Sequence, residues 1–366
     1  MKTLLEVLES QLNVDLDTMD PAVAKALSFK AHDMTSNQFI VFERMQAPEN
    51  RELVLRVAKE CGKEGWEAAA DRISAHLCAA NIDNIQGRVL LQTSMFQAYD
   101  TQKVVDHARR YAAELERVGI SKDRLCIKIP ATGPALNAAP ILVKEGIRTL
   151  GTSLFSVAQA IACSQAGCLY ISPYYNEINA HSNRTIWPES DDPALLHTSS
   201  PRLIQVRAVY QKLAEQSGKQ QPMIKAASFI SVAEAMACGE MQVHSATLPA
   251  QILLDLARMP AVSSVSARIP GIAKVLPSAA ATYFDTRPLP ERLVASLKID
   301  PLIPSWDGVL ASTEADYLAN NGEKLEEAIE NDPVTKQRIG DALALFQDVE
   351  EKMKKFIEGA IAEVSA

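Results

Sequence analysis

The sequence has little that would tie it to a metal, a nucleic acid or a membrane. Its 366 residues include only six histidines, and no two share a helix face at ligand spacing. The six cysteines, Cys61, Cys78, Cys126, Cys163, Cys168 and Cys238, lack the short repeats of a metal site. Several sit in apolar runs, as buried free thiols do. No metal and no cofactor are expected. A formal net charge of -8 supplies no basic face for a nucleic acid or an acidic membrane. No window approaches the roughly 20 apolar residues needed to span a bilayer, and Met1-Lys2-Thr3-Leu4-Leu5 turns acidic at Glu6 before a secretory apolar region develops. A cytoplasmic protein is expected. There is no internal repeat and no low-complexity tract.

What the chain does have is enough apolar sequence, 47% against 22% charged, to bury a full core. Asn13 to Asp17 alternates polar and apolar residues as a strand does, and Pro21 opens a helical stretch through Ala31. Strands are then predicted at Thr35 to Phe42, Gly87 to Gln92, Leu125 to Pro130, Thr149 to Leu154, Cys168 to Tyr174, Met223 to Phe229 and Met241 to Ala246. Helical patterns separate them: Glu49 to Ala80, Val104 to Val118, and 134 to 145, 155 to 166, 201 to 217, Val232 to Cys238 and 248 to 258. An unbroken alternation of about eight strands with helices demands a parallel sheet, and eight such units close into a (β/α)8 barrel. Two doubly wound domains are the alternative, weakened because no Gly-rich phosphate loop follows any strand. Beyond about Pro301 the pattern becomes helical with mixed charge, at Glu323 to Glu330 and Asp341 to Glu363. The last helix sets Leu343, Leu345, Phe346, Val349, Met353, Phe356 and Ile357 at helical spacing, suited to packing on the barrel or to a homo-oligomer contact. The expected division is a barrel unit over 1–300 and a helical extension over 301–366.

Catalytic groups of such barrels lie at the C-terminal ends of the strands. That rule selects Asp17, Asn37, Gln92, Lys128, Thr152, Ser172, Tyr174 and Ser228. Lys128 stands out, because an ammonium inside Cys-Ile-Lys-Ile-Pro would be desolvated, which lowers its pKa and exposes a nucleophilic amine. A lysine in an apolar strand can also snorkel or pair. Asp17, at the end of the first strand, can shuttle protons beside it, whereas Asp20 is better placed to cap the Pro21 helix.

Several stretches resemble the transaldolase family. They are Leu16-Asp17-Thr18, Thr35-Ser36-Asn37, Ile127-Lys128-Ile129-Pro130-Ala131-Thr132, Lys144-Glu145-Gly146-Ile147, Thr149 to Ser156 with Ala158-Gln159-Ala160, Ile171-Ser172-Pro173-Tyr174 and Ala226-Ala227-Ser228-Phe229. They fall in order on at least six strands and span residues 13 to 260. The resemblance implies a Schiff base between Lys128 and a ketose donor, with Asp17 assisting proton transfer. It further implies that Asn37 and Ser172, with Thr35 and Ser228 nearby, bind substrate, and that Thr152 helps to position a catalytic water. The small-molecule partners implied are a ketose donor and an aldehyde acceptor.

Four positions depart from the transaldolases. Gln92 stands where they carry a glutamate, and Tyr174 where they usually carry phenylalanine; both resemble the fructose-6-phosphate aldolase branch. Gln92, Thr152 and Tyr174 could then form a water-mediated relay. Glu177 and Ile230 occupy positions where the family places phosphate-binding arginines, leaving Arg184 or Lys225 as substitutes. The resemblance thus implies aldol chemistry, as ketol transfer or simple addition and cleavage, and the departures point to unphosphorylated substrates in a specialised pathway. An ordinary pentose-phosphate transaldolase is the nearest alternative, and an inactive barrel acting as a binding protein is the alternative of another class.

Overall fold

The computed structural model describes residues 2–261 and 287–365. Residues 262–286, inside the unit expected over 1–300, lie outside the described residues. Eight parallel strands close into a barrel in chain order. They are β1 Asn13–Leu16, β2 Met34–Thr35, β3 Val89–Gln92, β4 Leu125–Pro130, β5 Thr149–Leu154, β6 Tyr170–Pro173, β7 Met223–Ala226 and β8 Ser245–Leu248. β1 closes the barrel on β8, with Asn13 opposite Ser245 and Leu16 opposite Leu248. This is the (β/α)8 architecture expected from the alternation of elements.

Several boundaries differ from the expectation, four of them for local reasons. The second strand stops at Thr35, because Asn37 caps a helix, Gln38–Gln46, by accepting from the Ile40 N–H at 3.0 Å. The helical patterns expected over Glu49 to Ala80 resolve into two helices, Arg51–Cys61 and Trp66–Ala79, parted at Gly65, whose φ of 93° only glycine adopts freely. Residues 134 to 145 likewise form two short helices, Gly133–Leu136 and Ala139–Lys144. The last strand begins four residues late, because Met241 caps the preceding helix, Val232–Glu240, and Gln242 has a φ of 58°.

Side chains along a strand alternate between faces, so residues two apart stack as successive layers inside the barrel. Leu90, Cys126, Leu150, Tyr170 and Met223 form an apolar cluster there. Beside it, the buried Lys225 places Nζ 2.7 Å from Asp15 Oδ2 and 2.7 Å from Asp33 Oδ2. Burial opposes the ammonium, but the two carboxylates hold its pKa above the ordinary lysine value. Two residues further along β1 to β6 come Asp17, Thr35, Gln92, Lys128, Thr152 and Ser172, the upper layer.

Past the barrel, helices Ala319–Asn331 and Pro333–Ser365 lie against it. The first is docked backbone to backbone: a Cβ on Gly322 would meet Gly133 Cα at 2.2 Å. The Gly133 N–H donates to Glu326 Oε1 at 2.6 Å. The second buries Leu343, Phe346, Val349, Met353 and Ile357, as their spacing predicts, while Leu345 is exposed. All six cysteines are free and buried. Among the described residues, no helix is long and apolar enough to cross a membrane.

Candidate active site

Lys128 is held at the upper end of β4, buried, with Nζ donating to Thr35 Oγ1 at 3.1 Å and to the Ser36 carbonyl at 2.8 Å. Burial lowers its pKa to about 8, and the nearby Asp17 carboxylate opposes that fall. Asp17 follows the last residue of β1, with its N–H held by the Leu248 carbonyl at 2.9 Å. Burial raises its pKa to about 6, against the pull of Lys128. At neutral pH roughly a tenth of the lysine is then free amine while Asp17 is mostly ionised. Asp20, as expected, caps the Pro21–Ala26 helix, leaving Asp17 free of that task.

The other sequence-selected residues fall into three groups. Thr152 and Tyr174 meet, with Thr152 Oγ1 donating to the Tyr174 hydroxyl at 3.3 Å. Burial pushes the Tyr174 phenol up to about 12, so it stays protonated. Gln92 and Ser172 are buried at the ends of β3 and β6, and Asn37 caps the helix after β2. Gln92 is not hydrogen-bonded to Thr152 or Tyr174: its Nε2 donates to Gln38 Oε1, and its own Oε1 is buried without a partner. Ser228 is drawn away into a loop, with a φ of 66°, its Oγ donating to the Asn176 carbonyl at 2.9 Å and within 2.8 Å of His181 Nε2.

Neither substitute cation stands free in the mouth. Lys225 sits in the layer below, locked between Asp15 and Asp33, which corrects the idea that it could serve a phosphate. Asp15, Asp33 and His32 could together ligate a metal, but the Lys225 ammonium already fills the position between the two carboxylates. Arg184 is exposed and rests over the Trp187 ring, 5.7 Å from its centroid. Its loop folds onto the Val232–Glu240 helix, where Trp187 Nε1 donates to Glu234 Oε1 at 2.6 Å.

Sequence reasoning missed four contributors. Gln38 holds Gln92, and the Ser36 carbonyl holds Lys128; Ser36 is the middle of the Thr35-Ser36-Asn37 motif and Gln38 follows it, so both were within reach. Arg338 Nη2 lies 3.7 Å from Glu177 Oε1, and Glu350 accepts from Ser94 Oγ at 2.6 Å and from the Met95 N–H at 2.7 Å. Those two come from the Pro333–Ser365 helix, and no local pattern links them to the barrel.

Strand order, closed register and the polar upper layer around one lysine define a (β/α)8-barrel protein with buried polar side chains gathered at the strand ends. Comparison with known proteins narrows this class. The chain belongs to the transaldolase/fructose-6-phosphate aldolase family, whose model matches residues 14–297. A transaldolase of Nostoc punctiforme is 34% identical over 209 residues, covering 53% of this chain and 62% of its own length. Transaldolase B of Pasteurella multocida is 29% identical over 204 residues, covering 53% and 64%. The chain thus spans under two thirds of the length of these curated relatives. A solved IMP dehydrogenase/GMP reductase-like protein of Corynebacterium glutamicum covers 81% of this chain and 86% of its own, at 12% identity and a TM-score of 0.41. That likeness is too weak to carry an argument.

Proposed function

We propose that the protein is a Schiff-base enzyme that makes or breaks carbon-carbon bonds by aldol chemistry, with Lys128 as the covalent nucleophile. The observation that carries this reading is the buried Lys128 amine facing the Asp17 carboxylate across one layer of the barrel, with its pKa drawn down to about 8. The free amine adds to the ketone of a ketose donor and, with loss of water, becomes an iminium. Asp17 takes the proton from the hydroxyl next to the bond that breaks. The electron pair of that bond flows into the iminium, giving an enamine and a departing aldehyde. The enamine then adds to an acceptor aldehyde, or takes a proton and is released by water. Thr152 and Tyr174 are suited to holding that water, since both hydroxyls lie in the upper layer within 3.3 Å of each other. Asn37, Thr35 and Ser172 are suited to the donor's hydroxyls.

The paired cations favour an acceptor without phosphate. Arg338 faces Glu177, Lys225 is taken up by Asp15 and Asp33, and Arg202 is shared between Asp300 and Asp332 at 2.9 Å each. The test is borohydride reduction in the presence of dihydroxyacetone or fructose 6-phosphate, followed by intact-mass measurement. Wild type should gain the reduced adduct, and Lys128→Met should gain none and lose all turnover while keeping its circular dichroism. A folded Lys128→Met retaining substantial aldol activity would end the assignment.

A further inference from the structure

A cavity of about 190 Å³ opens beside the upper layer, between β3 and three helices, Gln38–Gln46, Trp66–Ala79 and Thr101–Arg117, with the Pro333–Ser365 helix closing it. One end is Gln92, which pairs in register with Lys128, and Asn37, which follows the two residues that hold Lys128 Nζ. The cavity therefore reaches the upper layer at Gln92, the strand neighbour of Lys128. Its walls are rich in acceptors. Gln92 is 2% exposed, and its Oε1 has no partner; Gln97 Oε1 is likewise buried and unpartnered. Glu350, Asp71 and Glu67 add three carboxylates to the lining against one guanidinium, Arg110.

The neighbouring hydrogen bonds leave no surplus positive charge. His107 Nδ1 accepts from the Ser94 N–H at 3.0 Å, so its proton lies on Nε2, directed at Asp71 Oδ1 3.0 Å away. Arg110 is spent on Asp71 at 2.9 Å and Glu67 at 3.5 Å. Trp66, Phe96 and Tyr111 provide flat apolar surface for the carbon chain of a ligand. A buried acceptor without a donor is costly, and a ligand that brings donors removes that cost. A phosphate or carboxylate brings only acceptors and negative charge.

We infer that this cavity is the acceptor-tail subsite, receiving the far end of a hydroxyaldehyde that is neutral or carries an ammonium group. The inference rests on the Schiff-base reading for its catalytic meaning, but the binding it requires does not. Titration of the full chain, followed by fluorescence and repeated with Trp66→Phe to assign the signal, should therefore use glycerol, 2-amino-1,3-propanediol and glycerol phosphate as probes. The amino diol should bind most tightly, and glycerol phosphate at least tenfold more weakly. Gln97→Arg, which puts a cation on the cavity wall, should weaken the amino diol at least tenfold and raise KM for an ammonium-bearing hydroxyaldehyde more than it lowers kcat. Glycerol phosphate binding as well as the amino diol, no binding by any probe, or an unchanged KM in Gln97→Arg would overturn the inference. Failure of wild type to trap dihydroxyacetone on Lys128, with probe binding intact, would instead remove the Schiff-base reading and leave the cavity as a binding site.

Discussion

At the scale of single residues, Lys128 and Asp17 are a pair whose protonation states depend on each other. Asp17 opposes the fall in the lysine's pKa, so removing its charge should let that pKa fall below about 8. In Asp17→Asn, the pH midpoint for borohydride trapping should therefore move down, while steady-state turnover drops because the proton shuttle is gone. A midpoint that stays put or rises would mean the two groups do not interact. The same depression bears on stability. The unfolded lysine keeps its proton up to its ordinary 10.5 and the folded one releases it above about 8, so in that window the unfolded chain binds more protons. Stability should rise with pH across that window, and burying the charged amine costs about 3 kcal/mol below it.

Among the elements, Gln159 is the busiest connector, and it lies in the Ala158-Gln159-Ala160 stretch that marks the family resemblance. It is fully buried in the helix Val157–Gln165, which Ser156 caps. Its Oε1 accepts from the N–H groups of Phe155 at 2.8 Å and Ser156 at 3.1 Å, and its Nε2 donates to the carbonyls of Ala131 at 2.9 Å and Ser153 at 3.1 Å. It thereby ties the exit of β4 to the bulged end of β5, where Ser153 holds a φ of 53°. Gln159→Leu would strand several buried backbone groups at about 1–3 kcal/mol each. It should lower the urea midpoint by the equivalent of at least about 3 kcal/mol, and kcat should fall because Thr152 adjoins the bulge. A loss under about 1 kcal/mol would show that the loop closes without this clamp.

How much of the molecule was legible in the sequence also divides by element. β4 and β5 were readable to the residue, because Pro130 and the β-branched or apolar runs mark them on local grounds. β2 was not: two residues carry no periodicity, and Asn37 could be read as a strand residue until its cap on Ile40 was seen. The site followed the same division. Lys128, Asp17, Thr152 and Ser172 could be placed at strand ends from the sequence, because that needs only strand positions. Arg338 and Glu350 could not be picked out from it, because their meaning depends on where a distant helix crosses the mouth. Ser228 was selected at a strand end, yet the left-handed turn there directs its hydroxyl to Asn176.

For the molecule as a whole, we propose that the helices beyond residue 301 act as an extension that completes the mouth of the barrel unit. Arg338 lines a cleft with Phe155 and Tyr174, apart from the cavity beside Gln92, so the charge in this second approach to the mouth is set by the middle of the chain together with its last helix. With Glu177 facing it, that arginine has little attraction to spare. Wild type should show a higher kcat/KM for an unphosphorylated hydroxyaldehyde than for its phosphorylated counterpart. Glu177→Gln should raise kcat/KM for the phosphorylated one by roughly tenfold to a hundredfold, the worth of one charge-assisted contact of about 1.5–3 kcal/mol. A wild type that already prefers the phosphate strongly would favour an ordinary sugar-phosphate transaldolase.

The Ser94 hydroxyl and the Glu350 carboxylate that receives it are 256 residues apart. A ribosome adding about 5–20 residues per second therefore leaves Ser94 and Gln92 waiting roughly 10 to 50 seconds for that wall of the cavity to exist. Lys128 waits too, since its shelter requires β8 to reach β1. Until then its amine is wetted, keeps an ordinary lysine pKa and stays protonated at neutral pH. On the proposed reading, the amine gains its nucleophilic form near neutral pH only once folding encloses it.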